Sequence, residues 1–294
     1  MSFTLKGSIP ALVTPFYDDF TVNFQKLGAL IEFHIKQGSD AVLILGTTGE
    51  AAALDFSEQV EIVKHVVKKA AGRIHVMVGS GSNDTVKSVK MSLAFEKLGA
   101  DSLLLITPYY NGTNDSGMLK HFEVIAGAVR TPIILYTVPA RTGCNISPIV
   151  VKHLAQHPNI VGIKDATGDF SYSMKISRYL SDEFALYSGN DDTIVPLLSI
   201  GASGVISVWA NYQPDIVSQL VKAFAQGRHQ EALTLQQKHL DLINALFIET
   251  SPIPLRYVMN QAGFDIGPAR LPLDTLSENK KVLIDTLLAA GEAQ

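Results

Sequence analysis

The sequence predicts a (β/α)8 barrel followed by C-terminal helices, and three observations carry this prediction. Short apolar runs alternate with segments of helical periodicity along most of the 294 residues. Most of these runs are rich in Val, Ile and Leu throughout, as parallel strands buried on both faces are. A glycine, a small residue and a short polar residue recur before a strand, which is typical of a quick return from helix to strand.

Eight segments are predicted as strands. They are Ile9–Val13, Ala41–Leu45, His75–Gly79, Ser102–Ile106, Ile133–Tyr136, Ile160–Ile163, Ala185–Ser188 and Gly204–Val208. Consecutive strands are about 20 to 35 residues apart, which leaves room for one helix between neighbours and favours a closed barrel. A doubly wound open sheet fits less well, because no G-x-G-x-x-G follows the first strand.

Residues that typically begin a helix occur in the segments between these strands. Asn23 and Ser57 are the predicted N-caps of two amphipathic segments, and Asn83 or Asp84 begins a third. Ser147 precedes a proline, which is preorganised for a first helical turn. Each interval between strands therefore contains its own predicted helix.

After Gly227 the strand signal stops. His229–Phe247 and Ser277–Ala289 both have apolar residues at helical spacing. We predict a barrel over residues 1–226 that carries the active site and a helical domain over 227–294. No low-complexity linker joins them, so we expect the second domain to dock on the barrel or on another subunit.

Composition excludes several classes of function. The net charge is −4, and no run of like charges suggests nucleic acid or an anionic membrane as a partner. The single cysteine, Cys144, excludes an internal disulfide and fits a reducing cytosol, and no signal peptide or membrane-spanning run is evident. The eight histidines lack metal-ligand spacing. We expect a cytoplasmic protein without a metal ion.

The chemistry of a (β/α)8 barrel lies at the carboxyl ends of its strands. Lys164 follows the apolar sixth strand, and Tyr136 ends the fifth. A lysine buried there has a lowered pKa, and its neutral amine attacks ketones. The other interpretation is a lysine that extends to solvent or pairs with Asp165, and a tyrosine whose hydroxyl bonds a backbone carbonyl. Their adjacent strands favour the catalytic interpretation.

Two further strand ends could bind carboxylates. Thr47 and Thr48 offer hydroxyls and exposed backbone N–H groups after the second strand, although an ordinary strand-to-helix turn has the same pattern. Arg141 lies between a proline and a glycine in what we predict to be a loop, where a guanidinium grips a carboxylate with two hydrogen bonds. A surface arginine is the alternative.

The chain resembles the dihydrodipicolinate synthase family, within the pyruvate-dependent lyase superfamily that also contains N-acetylneuraminate lyase. The resemblance extends nearly from end to end of the chain. It is carried by Ala11–Phe16, Gly46–Glu50, Thr107–Asn111, Tyr136–Gly143, Gly162–Asp165, Gly204–Val208, Pro252–Pro254 and Arg270–Leu273. It implies that Lys164 forms an imine with pyruvate and that no cofactor is needed.

The resemblance also implies the other roles. Thr47 and Thr48 would hold the pyruvate carboxylate, and Thr47 would share a hydroxyl relay with Tyr136. Tyr110 would complete that relay from a neighbouring subunit of a tetramer or dimer. Arg141 would hold the carboxylate of L-aspartate 4-semialdehyde. Backbone contacts near the imine would come from two further residues, Gly189 and Ile206.

Two departures from the family pattern affect specificity and regulation. Thr137 stands where the family usually has Asn, which leaves open a related aldolase or lyase acting on a keto-deoxy sugar acid or N-acetylneuraminate. A silent barrel that senses a keto acid is a third hypothesis. Lysine-inhibited relatives use histidine and acidic residues where this chain has Phe56, Gln59 and Lys87, so the resemblance implies weak or absent lysine inhibition.

Overall fold

The computed structural model describes residues 5–292. It contains eight parallel strands in one sheet, in the order β1-β8-β7-β6-β5-β4-β3-β2. They are β1 Gly7–Pro10, β2 Ala41–Ile44, β3 His75–Gly79, β4 Ser102–Ile106, β5 Ile133–Thr137, β6 Ile160–Asp165, β7 Ala185–Ser188 and β8 Gly204–Ser207. Ala11 forms a parallel bridge to Leu43, and the Leu12 N–H donates to the Leu43 carbonyl at 2.8 Å. These contacts join β1 to β2 and close the barrel, so the predicted (β/α)8 fold is confirmed.

Helices follow the strands. The barrel carries α1 Phe24–Gln37, α2 Phe56–Ala70, α3 Thr85–Lys97, α4 Asp115–Ala128, α5 Pro139–Thr142, α6 Pro148–Leu154, α7 Phe170–Ser177, α8 Ile194–Ser199 and α9 Pro214–Ala225. The C-terminal part contains α10 His229–Lys238, α11 Leu240–Ala245, α12 Ile253–Gln261 and α13 Glu278–Glu292. Short 3-10 turns cover Ala51–Ala53, Asp191–Thr193 and Trp209–Asn211. None of the helices within 5–292 is long and apolar enough to cross a membrane.

Several predicted boundaries are wrong by a few residues for local reasons. The strand predicted to reach Val13 ends at Pro10, and the Val13 N–H donates to the Asn211 side chain at 3.0 Å instead of to a neighbouring strand. The second strand stops before Leu45, whose φ of 54° is left-handed. Ser57 is not the N-cap of α2. Asp55 accepts from the Glu58 N–H at 2.8 Å and forms a capping box with it.

The C-terminal part also differs from the prediction. The single helix predicted over His229–Phe247 is two helices, because the chain breaks at His239 between α10 and α11. Helix α12 was not predicted. It begins just after Pro252, and its periodicity is short and interrupted by a second proline. α10 packs on α9 and α8, while α11 packs on α13. A domain boundary at 226/227 stays a prediction.

The buried apolar side chains form two clusters. The larger cluster lies between the sheet and the helices. The smaller one fills the barrel interior with one to three side chains from each strand or its end. Its buried members are Ile9, Ala11, Ala41, Leu43, Met77, Leu104, Ile134, Tyr136, Val138, Val161, Ala166, Tyr187 and Ile206. Tyr136 belongs to this interior cluster near the carboxyl ends of the strands, so the strand register directs its ring toward the barrel axis.

Candidate active site

Lys164 sits inside the barrel near the carboxyl end of β6. Strand pairing places it beside Tyr136 of β5 and Tyr187 of β7. Only 5% of Lys164 is exposed, and its Nζ lies 4.4 Å from the centroid of the Tyr136 ring. A lysine that extends to solvent is therefore ruled out, because the amine ends beneath the phenol ring.

The surroundings of Lys164 favour its neutral form. Burial lowers the pKa of the amine from 10.5 to about 7, the Asp191 carboxylate opposes that change, and the Arg141 guanidinium adds to it. About half of the amine is then unprotonated near neutral pH. This is the state that a nucleophilic lysine requires.

Asp191 is a functional candidate that sequence analysis missed. It follows β7 in a 3-10 turn and is 1% exposed. Its Oδ2 accepts the N–H groups of Val208 and Trp209 at 3.0 and 2.9 Å, whereas Oδ1 has no hydrogen-bond partner among the described residues. Burial raises the pKa of this carboxyl. The polar run after β7 was its only sequence signal, since its partners lie on the next strand end.

Thr47 lies beside Tyr136, and Thr48 follows it in the same turn. Burial raises the pKa of the Tyr136 phenol, and the nearby Arg141 guanidinium and Thr47 side chain oppose that change. Thr48 is buried and Thr47 is half-buried in the turn after β2. Lys164, Tyr136, Thr47, Thr48 and Asp191 are named the floor of the site below.

Two other predicted residues, Tyr110 and Arg141, are exposed, and they are named the rim below. Tyr110 is 92% exposed with a φ of +74°, which is uncommon for a bulky residue. Arg141 was predicted to lie in a loop. It lies instead in the short helix α5, which begins at Pro139 and is followed by Gly143. Its Nη2 donates to the Ser251 carbonyl at 3.0 Å, while the outer part of the residue faces solvent.

The remaining candidates line the interior or its outer wall. Ile206 is fully buried in the interior cluster on β8. Gly189 follows β7, where a Cβ would lie 2.6 Å from the Ala166 Cβ, so a side chain there would collide with the end of β6. Thr137 is buried, and its hydroxyl donates to the Asn145 Oδ1 at 2.5 Å. Cys144 donates to the Pro108 carbonyl at 3.1 Å.

No group of three or more His, Cys, Asp or Glu side chains between residues 5 and 292 is arranged to hold a metal ion. The site instead gathers an amine, a phenol, hydroxyls and one carboxylate. These groups suit proton transfer and nucleophilic attack on a carbonyl.

A closed barrel with reactive side chains at the carboxyl ends of its strands defines the class of (β/α)8-barrel enzymes. The chain belongs to the dihydrodipicolinate synthetase family, whose profile matches residues 4–290, and is therefore a lyase of that family. It is 46% identical over 287 residues to a protein from Caldicellulosiruptor bescii named 4-hydroxy-tetrahydrodipicolinate synthase, covering 97% of each chain.

Solved structures of the same family superpose closely. A dihydrodipicolinate synthase from Acinetobacter baumannii, described as chloride inhibited and complexed with pyruvate, is 40% identical with a TM-score of 0.95 over 97% of this chain and 98% of that one. The enzyme from Cyanidioschyzon merolae with lysine bound is 36% identical with a TM-score of 0.94, covering 98% of this chain and 99% of that one.

Proposed function

We propose that this chain is a 4-hydroxy-tetrahydrodipicolinate synthase, which condenses pyruvate with L-aspartate 4-semialdehyde in the biosynthesis of diaminopimelate and lysine. The observation that carries the proposal is the buried Lys164 amine, with its pKa lowered to about 7, beneath the Tyr136 ring. The names of full-length relatives support the choice of reaction. No cofactor is needed, because the imine itself withdraws electrons.

The reaction begins when the neutral Lys164 amine adds to the keto carbon of pyruvate. Loss of water gives an imine, which acidifies the methyl group, and loss of a methyl proton gives an enamine. The enamine carbon attacks the aldehyde carbon, and the aldehyde oxygen takes a proton. The amino group of the second substrate then adds to the imine carbon and displaces the Lys164 amine as the ring closes. The Tyr136 phenol moves the protons, with Thr47 as its partner.

Each substrate carboxylate has its own group in this proposal. The hydroxyls and backbone N–H groups of Thr47 and Thr48 hold the pyruvate carboxylate close to Lys164. Arg141 stands at the rim and binds the carboxylate of the aldehyde. Gly189, which follows β7, and Ile206 of β8 provide backbone contacts near the imine. The Acinetobacter baumannii enzyme is described as complexed with pyruvate, which supports the choice of pyruvate as the first substrate.

The proposed assembly is a tetramer made of two dimers, in which Tyr110 enters a neighbouring subunit and completes the hydroxyl relay there. Its exposure of 92% and left-handed backbone support this role, because one chain leaves the ring without neighbours. A strained backbone conformation persists only where contacts with the surrounding structure hold it in place. A free dimer would satisfy the same contact.

The alternative is a related lyase that cleaves a keto-deoxy sugar acid or N-acetylneuraminate. Thr137 was the residue that left this choice open, but it lies on β5 between Tyr136 and Val138, which both face the interior. Its side chain therefore points out of the barrel, where its hydroxyl bonds Asn145. The substitution therefore lies outside the space where substrates would bind, and the synthase is favoured.

A coupled assay tests the proposal. Pyruvate plus L-aspartate 4-semialdehyde should give product, whereas a lyase would instead release pyruvate from a keto-deoxy acid. Borohydride reduction with pyruvate, followed by peptide mass mapping, should place the adduct on Lys164. A keto-acid sensor would give no adduct and no product, and that result would overturn the proposal.

Weak or absent inhibition by lysine is part of the proposal. Phe56 is partly covered by the Lys90 ammonium, 5.3 Å from its ring centroid. The Gln59 residue is 7% exposed, and its side-chain nitrogen donates to the Ala51 and Leu54 carbonyls, so that nitrogen is not free to bind a ligand. Lys87 is exposed and would repel an ammonium group. Strong inhibition by micromolar lysine in the coupled assay would contradict this.

A further inference from the structure

The turn that contains Thr47 and Thr48 ends in a buried carboxylate with no part in the proposed chemistry. Glu50 follows Gly49 with a left-handed φ of 54°, and its N–H donates to the Thr47 carbonyl at 3.1 Å. The whole residue is 4% exposed and its side chain 1%. Burial of an ionised carboxylate is costly unless it is paired, so its partners are informative.

The partners of Glu50 come from the far end of the sequence. Its Oε1 accepts a hydrogen bond from the Arg256 Nε at 2.6 Å and lies 2.5 Å from Nη2 in an ion pair, so its partner is on a helix that sequence analysis missed. Its Oε2 accepts the Arg270 backbone N–H at 2.9 Å. Both carboxylate oxygens are therefore occupied, and neither is available to a substrate.

Arg256 holds the same turn by a second route. Its Nη2 donates to the Thr14 carbonyl at 2.5 Å, and the Thr14 hydroxyl donates to the Gly49 carbonyl at 2.7 Å. Arg256 is thus linked to Glu50 directly and to Gly49 through Thr14. Gly49 itself has no spare room, because a Cβ there would lie 3.0 Å from the Leu12 carbonyl.

From this geometry we propose that Glu50 is a positioning residue for Thr47 and Thr48. Its buried ion pair with Arg256 fixes the turn so that the two hydroxyls and their N–H groups converge on the carboxylate of the keto acid. The inference rests on the proposed function, since it assigns the carboxylate of pyruvate to this turn. It does not require Glu50 to touch substrate or to transfer a proton.

Glu50→Asp tests this role, because it keeps the charge but is one methylene too short to span the same contacts. The probes are pyruvate and hydroxyacetone, a neutral ketone of similar size, each titrated in borohydride trapping on Lys164. The ratio of their half-saturating concentrations reports recognition of the carboxylate. Both ketones use the same preparation, so the ratio does not depend on the folded fraction.

We expect wild type to prefer pyruvate and Glu50→Asp to lose about tenfold of that preference, as misplacement of binding groups by a fraction of an ångström does. Pyruvate KM should rise by a similar factor while the aldehyde KM changes less than twofold. Arg256→Lys keeps the positive charge but cannot bond Glu50 and the Thr14 carbonyl together as the guanidinium does, so it should give the same pattern. It also serves if Glu50→Asp does not fold.

Glu96→Asp is the matched control. Glu96 accepts hydrogen bonds from Arg130 and Thr131 on the loop before β5, at the opposite end of the barrel. The ketone preference of Glu96→Asp should equal that of wild type. If Glu50→Asp and Arg256→Lys weaken both ketones equally, or change neither, the positioning role is overturned while the synthase proposal stands. If wild type itself traps no pyruvate, the proposed function fails instead.

Discussion

The floor and the rim of the site differ in how much of each a single chain supplies. Lys164 is 5% exposed, and its neighbours are fixed by strand pairing and by hydrogen bonds within the barrel. Tyr110 is 92% exposed, and Arg141 keeps one contact to the C-terminal part. One chain therefore contains the groups that the proposed imine formation needs, whereas the proposed relay and capture of the second substrate depend on what covers the rim.

The largest effect should come from the nucleophile on the floor. Lys164→Ala removes the amine, so we expect no borohydride adduct with pyruvate and a kcat lower by about a thousandfold. Steady-state kinetics and mass mapping measure both. Lys97→Ala, an exposed lysine on α3, should retain the adduct and full activity. An adduct on any other lysine of the Lys164→Ala protein would contradict the assignment.

The next effect should come from the phenol beside it. Tyr136→Phe keeps the ring over the amine but removes the group that moves protons, so kcat should fall by about a hundredfold. Tyr187→Phe is the matched control, because that hydroxyl donates to the Leu5 carbonyl at 2.7 Å, at the other end of the barrel. Equal losses of kcat in the two variants would show that Tyr136 acts only through packing.

Lys164 and Tyr136 were the most predictable residues of the floor, for a physical reason. Lys164 and Tyr136 end apolar strands, and parallel strands bring their carboxyl ends to one place. Asp191 and Glu50 escaped prediction because their partners come from elsewhere. Asp191 binds N–H groups after β8, and Glu50 pairs with Arg256, which lies 206 residues further along. Tertiary partners of this kind leave no local pattern.

The fold shows the same division between local and distant causes. His75–Gly79, Ser102–Ile106 and Ala185–Ser188 were predicted with the bounds that the structure has. The errors lie where a side chain from a distant segment intervenes, as Asn211 does at the end of β1, or where two prolines interrupt the periodicity, as in α12. The C-terminal part, which has the fewest local signals, was predicted least well.

A moderate effect should separate the rim from the floor. Tyr110→Ala should lower kcat about tenfold or more without loss of the Lys164 adduct, because the proposed imine formation needs only groups on the floor of one chain. Co-expression with Lys164→Ala is the sharper measurement. If Tyr110 serves the neighbouring subunit, mixed assemblies contain some sites with both residues intact and regain activity. Activity equal to the sum of the two separate variants would place Tyr110 in its own subunit's site or outside any site.

The smallest effects should be shifts in the pH dependence of imine formation. The Lys164 pKa of about 7 predicts that trapping by borohydride rises with pH through a midpoint near that value, because only the neutral amine adds to pyruvate. Asp191 raises this pKa and Arg141 lowers it. Asp191→Asn should therefore move the midpoint to lower pH, and Arg141→Met should move it to higher pH.

The dependence of the midpoint on salt concentration distinguishes the effect of Asp191 from that of Arg141. The Asp191 carboxylate is buried with the amine, so added salt should leave its effect nearly unchanged, whereas the exposed Arg141 guanidinium is screened over a distance of about 8 Å at physiological ionic strength. In wild type, raising the salt concentration should thus shift the midpoint upward, toward that of Arg141→Met. The midpoint of Asp191→Asn should shift upward by a similar amount, because it still contains Arg141. A midpoint that salt moves in Arg141→Met as much as in wild type would show that other surface charges set the amine's pKa, and that the rim does not act electrostatically on the floor.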